Sequence, residues 1–175
     1  HLARLGSVAK ADTDNSASEA LWSQLAEMGV LTIPVSEAAG GFGGGAVDLM
    51  ATMQAAGAAL LVEPLLANLV AARLVDRLGS QAQREALLPG VMDGSSRIAL
   101  AHTEDEARFE LANVQTQARP DAEGFDLSGV KRMVAGAPSA RQLVVSARTP
   151  AGTSLFIVPA DAQGVAMSAY QCFDD

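Results

Sequence analysis

His102, Thr103 and Glu104 stand at the end of the short apolar run Ile98 to Ala101. An imidazole, a hydroxyl and a carboxylate beside the free backbone groups of a strand end are a reasonable place to hold a polar heterocycle. By residue type alone, a lone histidine there is more often a hydrogen-bonded surface residue than a catalyst. Lys131 and Arg132 put cations on the run Val130 to Val134, which turns at Gly136; taken alone they read as a solvated face. Gly40-Gly41-Phe42-Gly43-Gly44-Gly45 invites comparison with a phosphate-cradling loop. A helix precedes it at short distance and no Lys-Ser/Thr pair follows, so it reads as a structural turn. His1 and His102 have no spacing to Cys172, the only cysteine, that suggests a dyad, and no cluster has metal-ligand spacing. Nucleophilic and metal chemistry therefore have no support, and an internal disulfide is impossible.

The elements that must position these residues change character along the chain. In roughly the first ninety residues, apolar side chains recur at three- and four-residue steps between caps, which predicts helices. Ser16 and Glu19 have capping-box spacing, and Leu21, Leu25 and Met28 line one face with Trp22 beside them until Gly29. Val30 to Val35 reads as a short extended link closed by Pro34. A second helix begins near Ala46, with Leu49, Met50, Met53, Gly57 and Leu60 on one face and small residues that permit close approach of a neighbour. Pro64 opens a third helix through Leu78, and Ser80 with Gln83 caps a fourth that stops at Gly94, with a kink or early break expected at Pro89.

From Arg97 onward the runs shorten to strand length: Ile98 to Ala101, Val114 to Ala118, Phe125 to Leu127, Val130 to Val134, Leu143 to Ala147 and Leu155 to Val158. Ser128-Gly129 reads as a two-residue hairpin turn between the third and fourth of these. Closely spaced strands without intervening helices predict an antiparallel β-barrel or sandwich rather than a Rossmann sheet. The expected fold class is α+β, with a helical domain over 1–95 and an incomplete β-barrel domain over 96–175.

Composition narrows the partners. The chain has 175 residues, 49% of them hydrophobic, and a net charge of −8, which argues for a folded protein and against one that neutralises nucleic-acid phosphates. A small molecule or another protein fits better. The apolar stretch Leu60 to Leu78 is interrupted by Glu63, Pro64, Arg73, Asp76 and Arg77, so it reads as a buried helix rather than a membrane span. No charged-then-apolar leader opens the chain, which begins at His1; part of a natural N-terminus is expected to be missing, and a reducing, cytoplasmic setting is expected.

Several segments together resemble one family. Leu21-Trp22-Ser23-Gln24-Leu25-Ala26-Glu27-Met28-Gly29, followed by Pro34 and Gly40-Gly41-Phe42-Gly43, is similar to the "W-x-x-L-A-E-L-G … P-E-E-Y-G-G-x-G" stretch of acyl-CoA dehydrogenases. Gly79-Ser80-Gln81-Ala82-Gln83-Arg84 with Leu87-Leu88-Pro89 resembles "G-S-E-A-Q-K … L-P". Ala99-Leu100-Ala101-His102-Thr103-Glu104 resembles the start of "A-L-T-E-P-x-x-G-S-D", and Leu127-Ser128-Gly129-Val130-Lys131 is similar to "L-N-G-x-K". Leu155 to Pro159 with Gly164-Val165 is similar to the strand and turn that follow. After Glu104 the pattern changes: Asp105 stands for Pro, Arg108 for Gly, Phe109 for Ser and Glu110 for Asp. Where the family has "W-I-T-N-G", this chain has Met133-Val134-Ala135-Gly136-Ala137. These departures resemble the small-subunit, pimeloyl-CoA dehydrogenase-like branch.

The resemblance implies FAD as cofactor, with His102, Thr103, Glu104, Met133, Val134 and Ala135 lining the flavin and Phe109 near the acyl thioester. It implies α,β-dehydrogenation of an acyl-CoA, with the β-hydride passing to flavin and the α-proton to a carboxylate. That base is expected in a C-terminal helical bundle, beyond the end of this chain at Asp175, so no catalytic base is assigned within it. Electron-transferring flavoprotein is the implied acceptor, and a homo- or hetero-oligomer with a paralogous subunit the implied assembly. A non-catalytic structural subunit, or an oxidase or flavin monooxygenase on the same fold, are the alternatives.

Overall fold

The computed structural model describes residues 15–107, 110–122 and 124–168, which fall into two compact units that meet at Ser96 and Arg97. The first is helical: α1 (Asn15–Glu27), α2 (Ala46–Ala58), α3 (Leu65–Leu78) and α4 (Gln81–Met92). Its core gathers Trp22 and Leu25 from α1, Leu31, and Leu65 and Leu69 from α3, pairs three and four apart that share a helix face. Gly29 ends α1 at φ 74°, its N–H donating to the Ala26 carbonyl at 2.8 Å. Ser16, expected before the helix, lies within it, and its side chain is outside the described residues. Val30 to Val35, expected extended, instead starts as a 3₁₀ turn over Val30–Thr32, closed by the Thr32 N–H on the Gly29 carbonyl at 3.1 Å.

The glycine-rich loop is a turn folded on its own backbone. The N–H groups of Gly41, Phe42, Gly43 and Gly44 donate to the carbonyls of Ser36, Thr32, Val35 and Ile33 at 2.7 to 3.1 Å, which leaves those donors no role toward an anion. A Cβ on Gly41 would lie 2.2 Å from the Val35 oxygen. Arg73 of α3 ties the loop down through the Pro34 and Gly44 carbonyls at 3.0 and 2.7 Å. The capping box of Ser80 and Gln83 is present. Pro89 does not break α4, which continues to Met92 with Leu88 and Val91 buried on either side; packing of those two outweighs the one hydrogen bond that proline removes so near the helix end. On α2, Leu49, Met53 and Ala56 pack against the core, while Met50, and Leu60 just past the helix end, are exposed and no residue of the helix is fully buried. Among the described residues, no helix is long and apolar enough to cross a membrane.

The second unit, 97–167, holds one open, mixed sheet rather than the expected closed antiparallel barrel. Its strands are β1 (Ile98–Ala101), β2 (Gln117–Asp121), β3 (Gly124–Ser128), β4 (Gln142–Thr149) and β5 (Gly152–Pro159). β4 is the central strand, antiparallel to β5 along its whole length and parallel to β1 over Gln142 to Val145. β2 touches the same edge further on, at Arg148, and pairs antiparallel with β3. Ser128-Gly129 is not the hairpin turn: the strand Gly124–Ser128 pairs back onto β2 with Asp121 opposite Gly124, and Val130 to Val134 forms no strand. Here the alternation of side chains misled, because Lys131 turns inward to make polar contacts rather than outward to water. Ala99, Ala140 and Leu143 form the core with Val134, Ala137, Val145 and Val165 packed against them.

Candidate functional site

Ser146 is the one hydroxyl in the run Leu143 to Ala147 of β4, and it is wholly buried. Register explains what it meets. Ala101 lies opposite Val145, so the next residue along, His102, comes beside Ser146, with Nδ1 2.9 Å from Oγ. Lys131 enters from the segment after β3. Its Nζ donates to Ser146 Oγ at 2.9 Å, to Glu104 Oε1 at 2.6 Å and to the His102 carbonyl at 3.3 Å. An ammonium has three protons and no lone pair. Ser146 Oγ therefore accepts from Lys131 and shares a hydrogen bond with His102 Nδ1.

Glu104 is buried to 3% exposure and accepts hydrogen bonds on both carboxylate oxygens. Besides Lys131, it accepts from the Gln115 N–H at 2.6 Å, the Thr116 N–H at 3.0 Å and the Thr116 hydroxyl at 2.5 Å. Burial works to raise its pKa, but the hydrogen bonds from Lys131, from the Thr116 hydroxyl and from the two backbone N–H groups outweigh it and hold the carboxyl at about 2. Glu104 is therefore a charged structural anchor at neutral pH, and its side chain neither takes nor gives a proton there.

Between these two engaged neighbours, Thr103 points its side chain into solvent, and its hydroxyl has no hydrogen-bond partner among the described residues. Its carbonyl accepts from the Arg132 N–H at 2.8 Å, which sets the segment 131–135 alongside 102–104. Arg132 itself is exposed and pairs with Asp105 at 3.0 Å. Met133 follows at φ 52°, 64% exposed, an unusual pairing of left-handed backbone and exposed apolar side chain. Val134 turns back into the core, Ala135 is exposed, and Gly136 takes the bend at φ 76°.

The six residues expected at a flavin thus separate by direction. Thr103, Met133 and Ala135 are exposed, while His102, Glu104 and Val134 have side chains at least partly withdrawn. Phe109 lies outside the described residues. Lys131, read from sequence as a solvated cation, is instead nearly buried at 10% side-chain exposure. Ser146 and Thr116 were not singled out; the available signal was a serine inside an apolar strand run, which needs a partner when buried. Among the described residues no group of three or more His, Cys, Asp or Glu could hold a metal.

Comparison with known proteins places the chain. The acyl-CoA dehydrogenase N-terminal domain matches residues 4–95 and the acyl-CoA dehydrogenase middle domain matches 99–171. Acyl-CoA dehydrogenase FadE12 of Mycobacterium tuberculosis is 32% identical over 153 residues, covering 82% of this chain and 39% of its own. A variant of the Tcur3481-Tcur3483 steroid ACAD is 41% identical with a TM-score of 0.75, over 83% of this chain and 40% of that one. The structure of PigA with FAD and proline is 28% identical with a TM-score of 0.71, over 83% and 41%. The chain therefore spans about two fifths of the length of these relatives. With both domain types matched in order along it, the chain belongs to the acyl-CoA dehydrogenase family.

Proposed function

We propose that this chain is the N-terminal and middle portion of an FAD-dependent acyl-CoA dehydrogenase subunit of the small-subunit branch. The observation that carries this reading is the exposed Thr103 hydroxyl, without a hydrogen-bond partner among the described residues, beside the exposed Met133. The donor set fits an isoalloxazine, which needs a few hydrogen bonds at its polar edge and apolar surface for its rings. Thr103 supplies the hydroxyl, Met133 supplies apolar surface, and Ala135 has only backbone to offer. His102 adds a half-buried imidazole, and Phe109 is assigned to the acyl thioester end.

When bound, FAD supplies the hydride acceptor for α,β-dehydrogenation of an acyl-CoA. The chain's own residues hold and orient it. Glu104 cannot be the base that removes the α-proton, because all its contacts are internal and it is held at about 2. That role is assigned to a carboxylate in the remaining length of the protein, and electron-transferring flavoprotein is assigned as acceptor.

Thr103→Ala tests the reading. Loss of one hydrogen bond to a bound group costs about 0.5–1.5 kcal/mol, so FAD affinity, titrated by flavin fluorescence on the deflavinated intact protein, should fall about two- to twelvefold with melting temperature unchanged. Unaltered affinity would remove Thr103 from the flavin site.

A further inference from the structure

We infer that Lys131 is a positioning residue for Thr103, acting through the two residues that flank it. Of the three contacts of the Lys131 ammonium, one fixes the carbonyl of His102 and one the carboxylate of Glu104; the third anchors the group to Ser146 in β4. The very next residue, Arg132, holds the Thr103 carbonyl through its N–H at 2.8 Å. Residues before, at and after the exposed hydroxyl are therefore each gripped by the pair 131–132. This matters because β1 ends at Ala101 and the ladder gives residue 103 no further support. Arg132 cannot replace Lys131, since its own side chain lies in an exposed pair with Asp105.

The inference rests on the flavin reading for what Thr103 contacts, but the clamp itself is a property of the protein alone. Its test is a double-mutant cycle in the intact protein. Changing Lys131→Met together with Glu104→Gln removes the clamp without leaving a lone buried charge. FAD affinity should fall about tenfold in the Thr103 background and by less than about twofold when Thr103 is already alanine, since the clamp then has no hydroxyl to place. Equal losses in both backgrounds would overturn the inference. A second readout needs no flavin: the Arg132 amide hydrogen should exchange at least about tenfold faster in the paired variant, and unchanged protection would overturn the clamp. If the wild-type protein binds no flavin, the proposed function falls while the exchange result still decides the clamp. Should the paired variant not fold, Ser146→Ala removes one anchor and no charge, and should speed the same amide; an unchanged rate would again count against the clamp.

Discussion

Glu104 keeps its charge in a setting where burial alone would remove it, and that has a consequence for acid stability. Its carboxyl moves from an ordinary 4.5 to about 2 on folding, so its contribution is fully present above about pH 4.5 and is lost as pH falls through 2. At about 1.4 kcal/mol per pKa unit this amounts to on the order of 3 kcal/mol. Urea unfolding of the wild type between pH 5 and 2 should show that loss, and Glu104→Gln should be less stable at pH 7 by about 3–5 kcal/mol, with a flatter acid limb, because it strands a buried lysine. An acid limb in the variant as steep as in the wild type would locate the titrating group elsewhere. At this scale the sequence was half legible. Thr103 is conspicuous in the sequence as a hydroxyl at a strand end, and the structure exposes it there. Glu104 is its neighbour, yet nothing in its type says that it faces inward, and Lys131 was misjudged because charge predicts solvation unless a buried partner is known.

Leu60 closes α2 in a conformation that suits glycine. It stands at φ 55°, with its N–H on the Gly57 carbonyl and that of Leu61 on the Ala56 carbonyl, both at 3.0 Å; this is the helix-ending pattern in which the left-handed residue is usually Gly. Leu60→Gly should raise the unfolding free energy by about 1 kcal/mol, and a loss of stability would mean that its half-exposed side chain packs for more than the backbone costs. Gly41 shows the opposite case. Gly41→Ala should destabilise the helical unit by about 2–3 kcal/mol, as the new methyl meets the Val35 carbonyl, and a neutral result by thermal melt would contradict the close approach. Helices and caps were legible because three- and four-residue steps and residues such as Gly29, Ser80 and Gln83 act locally. β1, β4 and β5 were legible as apolar runs. The parallel pairing of β1 with β4 was not, because register between strands more than forty residues apart leaves no local trace, and the irregular course of 130–134 depends on where Lys131 finds its partners.

Across the whole molecule, the helical unit carries the outward apolar side of α2, with Val47 and Met50 at 70% and 64% exposure, and the sheet unit carries the exposed Thr103 and Met133. The family match accounts for both units in order, and the chemistry assigned to them requires a flavin that an acyl-CoA can reduce. The most direct measurement is a visible absorbance spectrum of the intact protein, purified with any co-eluting partner, before and after anaerobic addition of a panel of acyl-CoAs. A flavin band that bleaches with at least one of them and reoxidises slowly in air is the expected result. A protein without a flavin band in any assembly, or a flavin that no acyl-CoA reduces, would contradict it.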